Sequence, residues 1–116
     1  MSSSFADVVS YMVVVRGLHD AAYKLFGEKF LHLRGGATPG PSPREIYRVV
    51  DCKLDDVSAS LRWIAEVIPG RYRAVELAIS IHTLRNWADF HVPPEILQAA
   101  LQYGATLRVA FMSPAI

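Results

Sequence analysis

Apolar positions along this chain change their period from block to block, and each change marks an element. The run VVSYMVVVR, Val8–Arg16, is β-branched and almost unrelieved by polar residues, and Gly17 bounds it; it predicts a strand. LHDAAYKLFG sets Leu18, Ala22, Leu25 and Phe26 at helical spacing, which predicts a short helix stopped by Gly27. Residues 34–43 hold three glycines and three prolines and read as a loop. IYRVVDCKL, residues 46–54, places Ile46, Val50, Cys52 and Leu54 to one side and predicts a second strand. Asp55 and Asp56 then offer N-caps to a helix whose stripe is Val57, Leu61, Ile64 and Ile68, ended by Pro69-Gly70.

The cleanest alternation is VELAISIH, residues 75–82. Val75, Leu77, Ile79 and Ile81 face one way, while Glu76, Ala78, Ser80 and His82 face the other. PPEILQAALQYG punctuates itself as a helix, with proline in the first turn, Glu95 at the positive end of the dipole and Gly104 as the stop. ATLRVAFM closes as a strand, Leu107, Val109 and Phe111 aligned against Thr106, Arg108 and Ala110.

The predicted order is β-α-β-α-β-α-β. It defines an α+β fold, one domain over residues 1–116, with a four-stranded sheet and helices mainly on one face. The last two strands have one apolar and one mixed face, so the uncovered side of the sheet should be small and polar around Ala78, Ser80, Arg108 and Ala110.

Composition narrows the possible functions. At 116 residues the chain can bury a core without staples, and 52% apolar against 20% charged residues is a globular balance. Twelve basic and 11 acidic residues leave a net charge of +1, too little to favour a nucleic-acid partner. The single cysteine, Cys52, excludes an internal disulfide and suits a reducing compartment. The start MSSSFADVV lacks the basic residues of a signal peptide, and the apolar run VVSYMVVV is far shorter than the roughly 20 residues that span a bilayer. The expectation is a soluble, cytoplasmic protein with no membrane partner.

Catalytic chemistry is not advertised. The four histidines include no pair at i, i+4 spacing, so no metal is expected, and nothing implies a cofactor. Cys52 sits mid-strand among apolar neighbours and reads as an inert small hydrophobe. GRYRA, residues 70–74, interleaves Arg71 and Arg73 with Tyr72, but in a neutral chain this reads as a solvated turn.

HTLRNWADFHVPPE, residues 82–95, is the most decorated stretch. His82, Arg85, Asn86, Trp87, Asp89 and His91 are residue types that anchor interfaces, and they form the candidate protein-binding site. The competing reading folds Trp87 and Phe90 back over the core edge and pairs Arg85 with Asp89 at the surface.

Phe90, Pro94, Glu95, Ile96, Leu97, Gly104 and the strand 107–111 together resemble the C-terminal signature of the bacterial domain-of-unknown-function family 4279. SYMVVVRG, the Gly/Pro-rich segment and DDVSASLRWIAEVI lie upstream in a similar order. Where that family often has a tryptophan in the second strand, this chain has Val50-Asp51-Cys52. The resemblance implies no catalytic residues, and it makes the 82–95 stretch a variable connection between the third strand and the last helix.

The leading expectation is therefore a non-enzymatic protein-binding module, in its most concrete form a bacterial toxin-immunity or inhibitor protein. It would act by steric occlusion, with Trp87 as anchor. The alternative is a small-ligand-binding regulatory domain with its pocket between the open sheet face and the 34–43 loop. A homodimer through the sheet face or an edge strand is compatible with either.

Overall fold

The computed structural model describes residues 8–30, 33–37, 46–83 and 90–112. Five strands and three helices follow one another in the chain as β1 (Val8–Arg16), α1 (Asp20–Lys29), β2 (Leu33–Ala37), β3 (Ile46–Cys52), α2 (Val57–Val67), β4 (Ala74–His82), α3 (Pro94–Gln102) and β5 (Thr106–Met112). A 3-10 turn at Leu54–Asp56 leads into α2. The fold is α+β, in one sheet ordered β2-β3-β1-β4-β5. All neighbours are antiparallel except β4 and β5, which run parallel and are joined across the sheet by α3.

The sheet thus has five strands where the sequence predicts four. The extra strand is β2, LRGGA, which occupies residues 34–37 of the predicted loop and pairs Leu33 with Val50 and Gly35 with Arg48. Glycines hide it from any periodicity, yet one of them is required. A Cβ on Gly35 would stand 2.4 Å from the Tyr47 carbonyl oxygen and 3.0 Å from the Arg48 Cα. Residues 38–43 of the predicted loop lie outside the described residues.

Two helix boundaries differ as well. α1 runs through Gly27 and ends only at Phe30, where the backbone turns extended. Gly27 stays helical, and a side chain there would meet the Arg48 guanidinium, at 3.4 Å from its Cβ. Asp56 stands at the N-cap of α2 without a side-chain cap bond, because the preceding 3-10 turn already holds it at φ −95, ψ −9. By contrast Gly104 ends α3 at φ 67 as its position predicts, a conformation that glycine adopts without steric cost.

The core lies on one side of the sheet. Val13, Val15, Leu77, Ile79 and Val50 meet the α2 stripe of Val57, Leu61, Ile64 and Ile68, with Ala22 and Phe26 from α1 and Ile96 and Ala99 from α3. Every position of the predicted α2 stripe is buried. Among the described residues no helix covers the opposite face, where Glu76 lies between Arg16 at 3.9 Å and Arg108 at 3.6 Å. Val14, Ala78 and Ser80 are nonetheless buried there. No described helix is long and apolar enough to cross a membrane.

Candidate functional site

Of the six residues that the sequence singles out, four lie outside the described residues: Arg85, Asn86, Trp87 and Asp89. His82 is exposed at the end of β4, opposite Val8 of β1 and beside Met112 of β5. His91 is exposed ahead of α3, and Phe90 packs against the core edge. Among the described residues no cluster of three His, Cys, Asp or Glu is placed to hold a metal ion. In the GRYRA turn Arg71 and Arg73 are exposed, while Tyr72 packs on the core.

A cavity of about 320 Å³ opens on the helix-bearing side; residues 38–43, beside which the regulatory-domain alternative puts its pocket, lie outside the described residues. The end of α1, β3 and the start of α2 enclose it with Lys29, Phe30, Val50, Cys52, Asp56 and Ser60. The Cys52 thiol donates to the Val50 carbonyl at 3.7 Å, and its Sγ lies 3.6 Å from Ser60 Oγ. Burial pushes this thiol above its ordinary range; the Ser60 hydroxyl opposes the shift, and the nearby Asp56 and Asp51 carboxylates reinforce it.

The native state therefore favours the neutral thiol. The stability that this adds is complete below the unfolded thiol pKa and is lost as pH rises through the higher folded value. Since thiolate is the reactive form, alkylation of Cys52 by iodoacetamide at pH 8 should run about tenfold or more slower in the native protein than in urea. Equal rates in the two states would show the thiol to be open to solvent.

A third feature is built by α3 and β5. Ile96, Ala99 and Ala100 are buried, whereas Leu97 is 48% and Leu101 86% exposed. At 3.6 residues per turn these leucines form one flank of the helix, and Glu95 and Gln102 form the other. A right-handed crossover between the parallel strands β4 and β5 orients the flanks, turning Glu95 toward the middle of the sheet and the leucines toward its edge. α3 packs beside α2 on its inner side. Burial and then Glu95 hold the Tyr11 phenol on β1 above its ordinary range.

Leu97 and Leu101 consequently face outward, over β5. That strand has only β4 as a neighbour among the described residues, so its outer backbone edge is unpaired there. Its helix-side residues Val109 and Phe111, 48% and 45% exposed, continue the leucine flank as an apolar shoulder along the sheet edge.

The sequence points to the 82–95 stretch and not to this shoulder. A signal was present, since Leu97 and Leu101 fall off the Ile96/Ala99/Ala100 stripe and make α3 apolar on more than its core face. The edge position of β5 was not available from the sequence. No family model matches the chain, and neither a curated protein nor a solved structure matches it.

Proposed function

We propose that the chain is a protein-binding module without catalysis of its own, and that it recognises its partner along the α3–β5 shoulder. The carrying observation is the coincidence of a strand edge that has no partner among the described residues with four exposed apolar side chains, Leu97, Leu101, Val109 and Phe111, on the adjoining faces of α3 and β5. Backbone groups on such an edge supply affinity through strand addition, and the adjacent apolar residues supply selectivity. An inhibitor or immunity role by steric occlusion fits this reading, with the shoulder as anchor; His82, Arg85, Asn86, Trp87, Asp89 and His91 stay candidates for contact by residue type alone. The resemblance to the bacterial domain-of-unknown-function family 4279 brings no residue roles to this reading.

The test is a Leu101→Glu variant. Leu101 is 86% exposed, so the substitution leaves the folded monomer intact while placing a carboxylate among these side chains. Association seen by native mass spectrometry, with a second copy or with another protein, is expected to weaken about 30-fold or more relative to the unaltered chain. Unchanged association would remove the shoulder from the reading.

A further inference from the structure

We infer that the occupant of the shoulder is a second copy of this chain, joined β5 to β5 in antiparallel register about a two-fold axis at Val109. This rests on the protein-binding reading above and names its partner.

The edge strand complements itself in that register. Val109 faces Val109 of the second copy, and Leu107 faces Phe111 of the second copy, on the helix side. On the other side Arg108 faces Ala110 of the second copy, and Thr106 faces Met112. Arg108 is the single charge of the strand, TLRVAFM, and this register keeps it from standing opposite its own copy. Glu76 also draws it back over β4, at 3.6 Å. The strand has seven residues and no proline, and its helix side carries no charge, so that side lacks the devices that keep natural edges apart.

The helix layer fits the same axis. α3 crosses between β4 and β5, so two copies joined at β5 bring their α3 axes about two strand spacings apart. At ~4.8 Å per strand that is roughly 9–10 Å, inside the 8–10 Å range at which helices pack. Leu97 and Leu101 of each copy then fill the seam between the helices. The four shoulder residues expose on the order of 300 Å² of apolar area. With the ladder and its rim, the contact approaches the ~800 Å² per partner of a standard interface. The product is a continuous ten-stranded sheet with isologous contacts only, closed and not polymerising.

Sedimentation velocity on the full chain at about 1–100 μM concentration tests this against the usual affinities of such interfaces. A dimer is expected, and Val109→Lys should weaken it about 100-fold by setting two ammonium groups on the axis. Far-UV circular dichroism checks that the variant folds; if it does not, Leu101→Glu decides. A Val109→Cys variant should cross-link to itself on mild oxidation, whereas Arg108→Cys, displaced diagonally in this register, should not. A chain that stays monomeric at the highest concentration overturns the inference, as does a dimer indifferent to both Val109→Lys and Leu101→Glu. If that monomer binds a different protein and Leu101→Glu abolishes the binding, the binding-module reading survives alone. If it binds nothing, both fall.

Discussion

Replacing Phe26 with alanine is expected to destabilise the protein by about 4 kcal/mol, a large part of the roughly 5–15 kcal/mol that holds a domain of this size together. Phe26 is fully buried on the core side of α1. Its ring lies 4.9 Å from that of Phe30 and 5.5 Å from that of Trp63, the latter edge-on at 86°. Phe30 and Trp63 close the triangle at 5.3 Å. The cluster joins the end of α1 to α2, and Phe30 also lines the cavity.

Removing the central ring leaves two half-buried rings without the quadrupolar contact between them and Phe26, in a space too large for either to fill by a rotamer change. Phe26→Leu keeps most of the volume and should cost only about 1–1.5 kcal/mol. Urea unfolding followed by circular dichroism separates the two variants. A loss below about 1 kcal/mol for the alanine would mean that the three rings do not meet as described.

The parts of the fold that the sequence made legible are those whose burial follows one period without interruption. α2 repeats its apolar residues at Val57, Leu61, Ile64 and Ile68 because one face of it meets the sheet over its whole length. β4 alternates from Val75 to Ile81 because its large apolar residues meet the helix layer, while the other face carries Glu76 and the small Ala78 and Ser80, which are buried as well. β5 alternates too, yet Val109 and Phe111 on its core-facing register are about half exposed. Alternation reports which face a residue is on and says nothing about how far the covering helix reaches.

The candidate site escaped the sequence for a similar reason. The shoulder joins residues of two elements through the rotation of α3, and that rotation follows from the crossover between parallel strands and the packing of α3 beside α2. Local reading weighed residue types within one stretch, so it favoured a loop rich in Trp, Arg and His over leucines whose exposure depends on their neighbours. The cavity around Cys52 likewise draws on α1, β3 and α2, and no single segment carries its signature.

Gly35→Ala against Gly36→Ala is the second large effect. The two glycines are adjacent in the same short edge strand, but Gly35 stands at φ 157, which a side chain rarely adopts, and Gly36 does not. At Gly36 a Cβ would meet nothing within 4 Å, so alanine there should be neutral or stabilising by a few tenths of a kcal/mol. At Gly35 the Cβ would fall 2.4 Å from the Tyr47 oxygen, 3.0 Å from the Arg48 Cα and 3.2 Å from its Cδ. Two of these three atoms are backbone, so no side-chain movement relieves the contact.

The strand must instead draw away from β3, which strains the ladder from Leu33 to Ala37 and the Arg48 side chain beneath it. Arg48 rests with its guanidinium 3.7 Å from the centroid of the Tyr23 ring, a cation–π contact that ties β3 to α1. Displacing it therefore loosens α1 as well as β2. The expected cost is about 2–3 kcal/mol for Gly35→Ala, set by overpacking against backbone together with the positive φ of this position. Hydrogen exchange should show lost protection in β2 and in the first turns of α1 before the β1–β4 core opens. If instead both alanine variants melt like the unaltered protein, β2 does not lie against Tyr47 and Arg48, and the glycine-rich segment is the plain connection that its composition suggests.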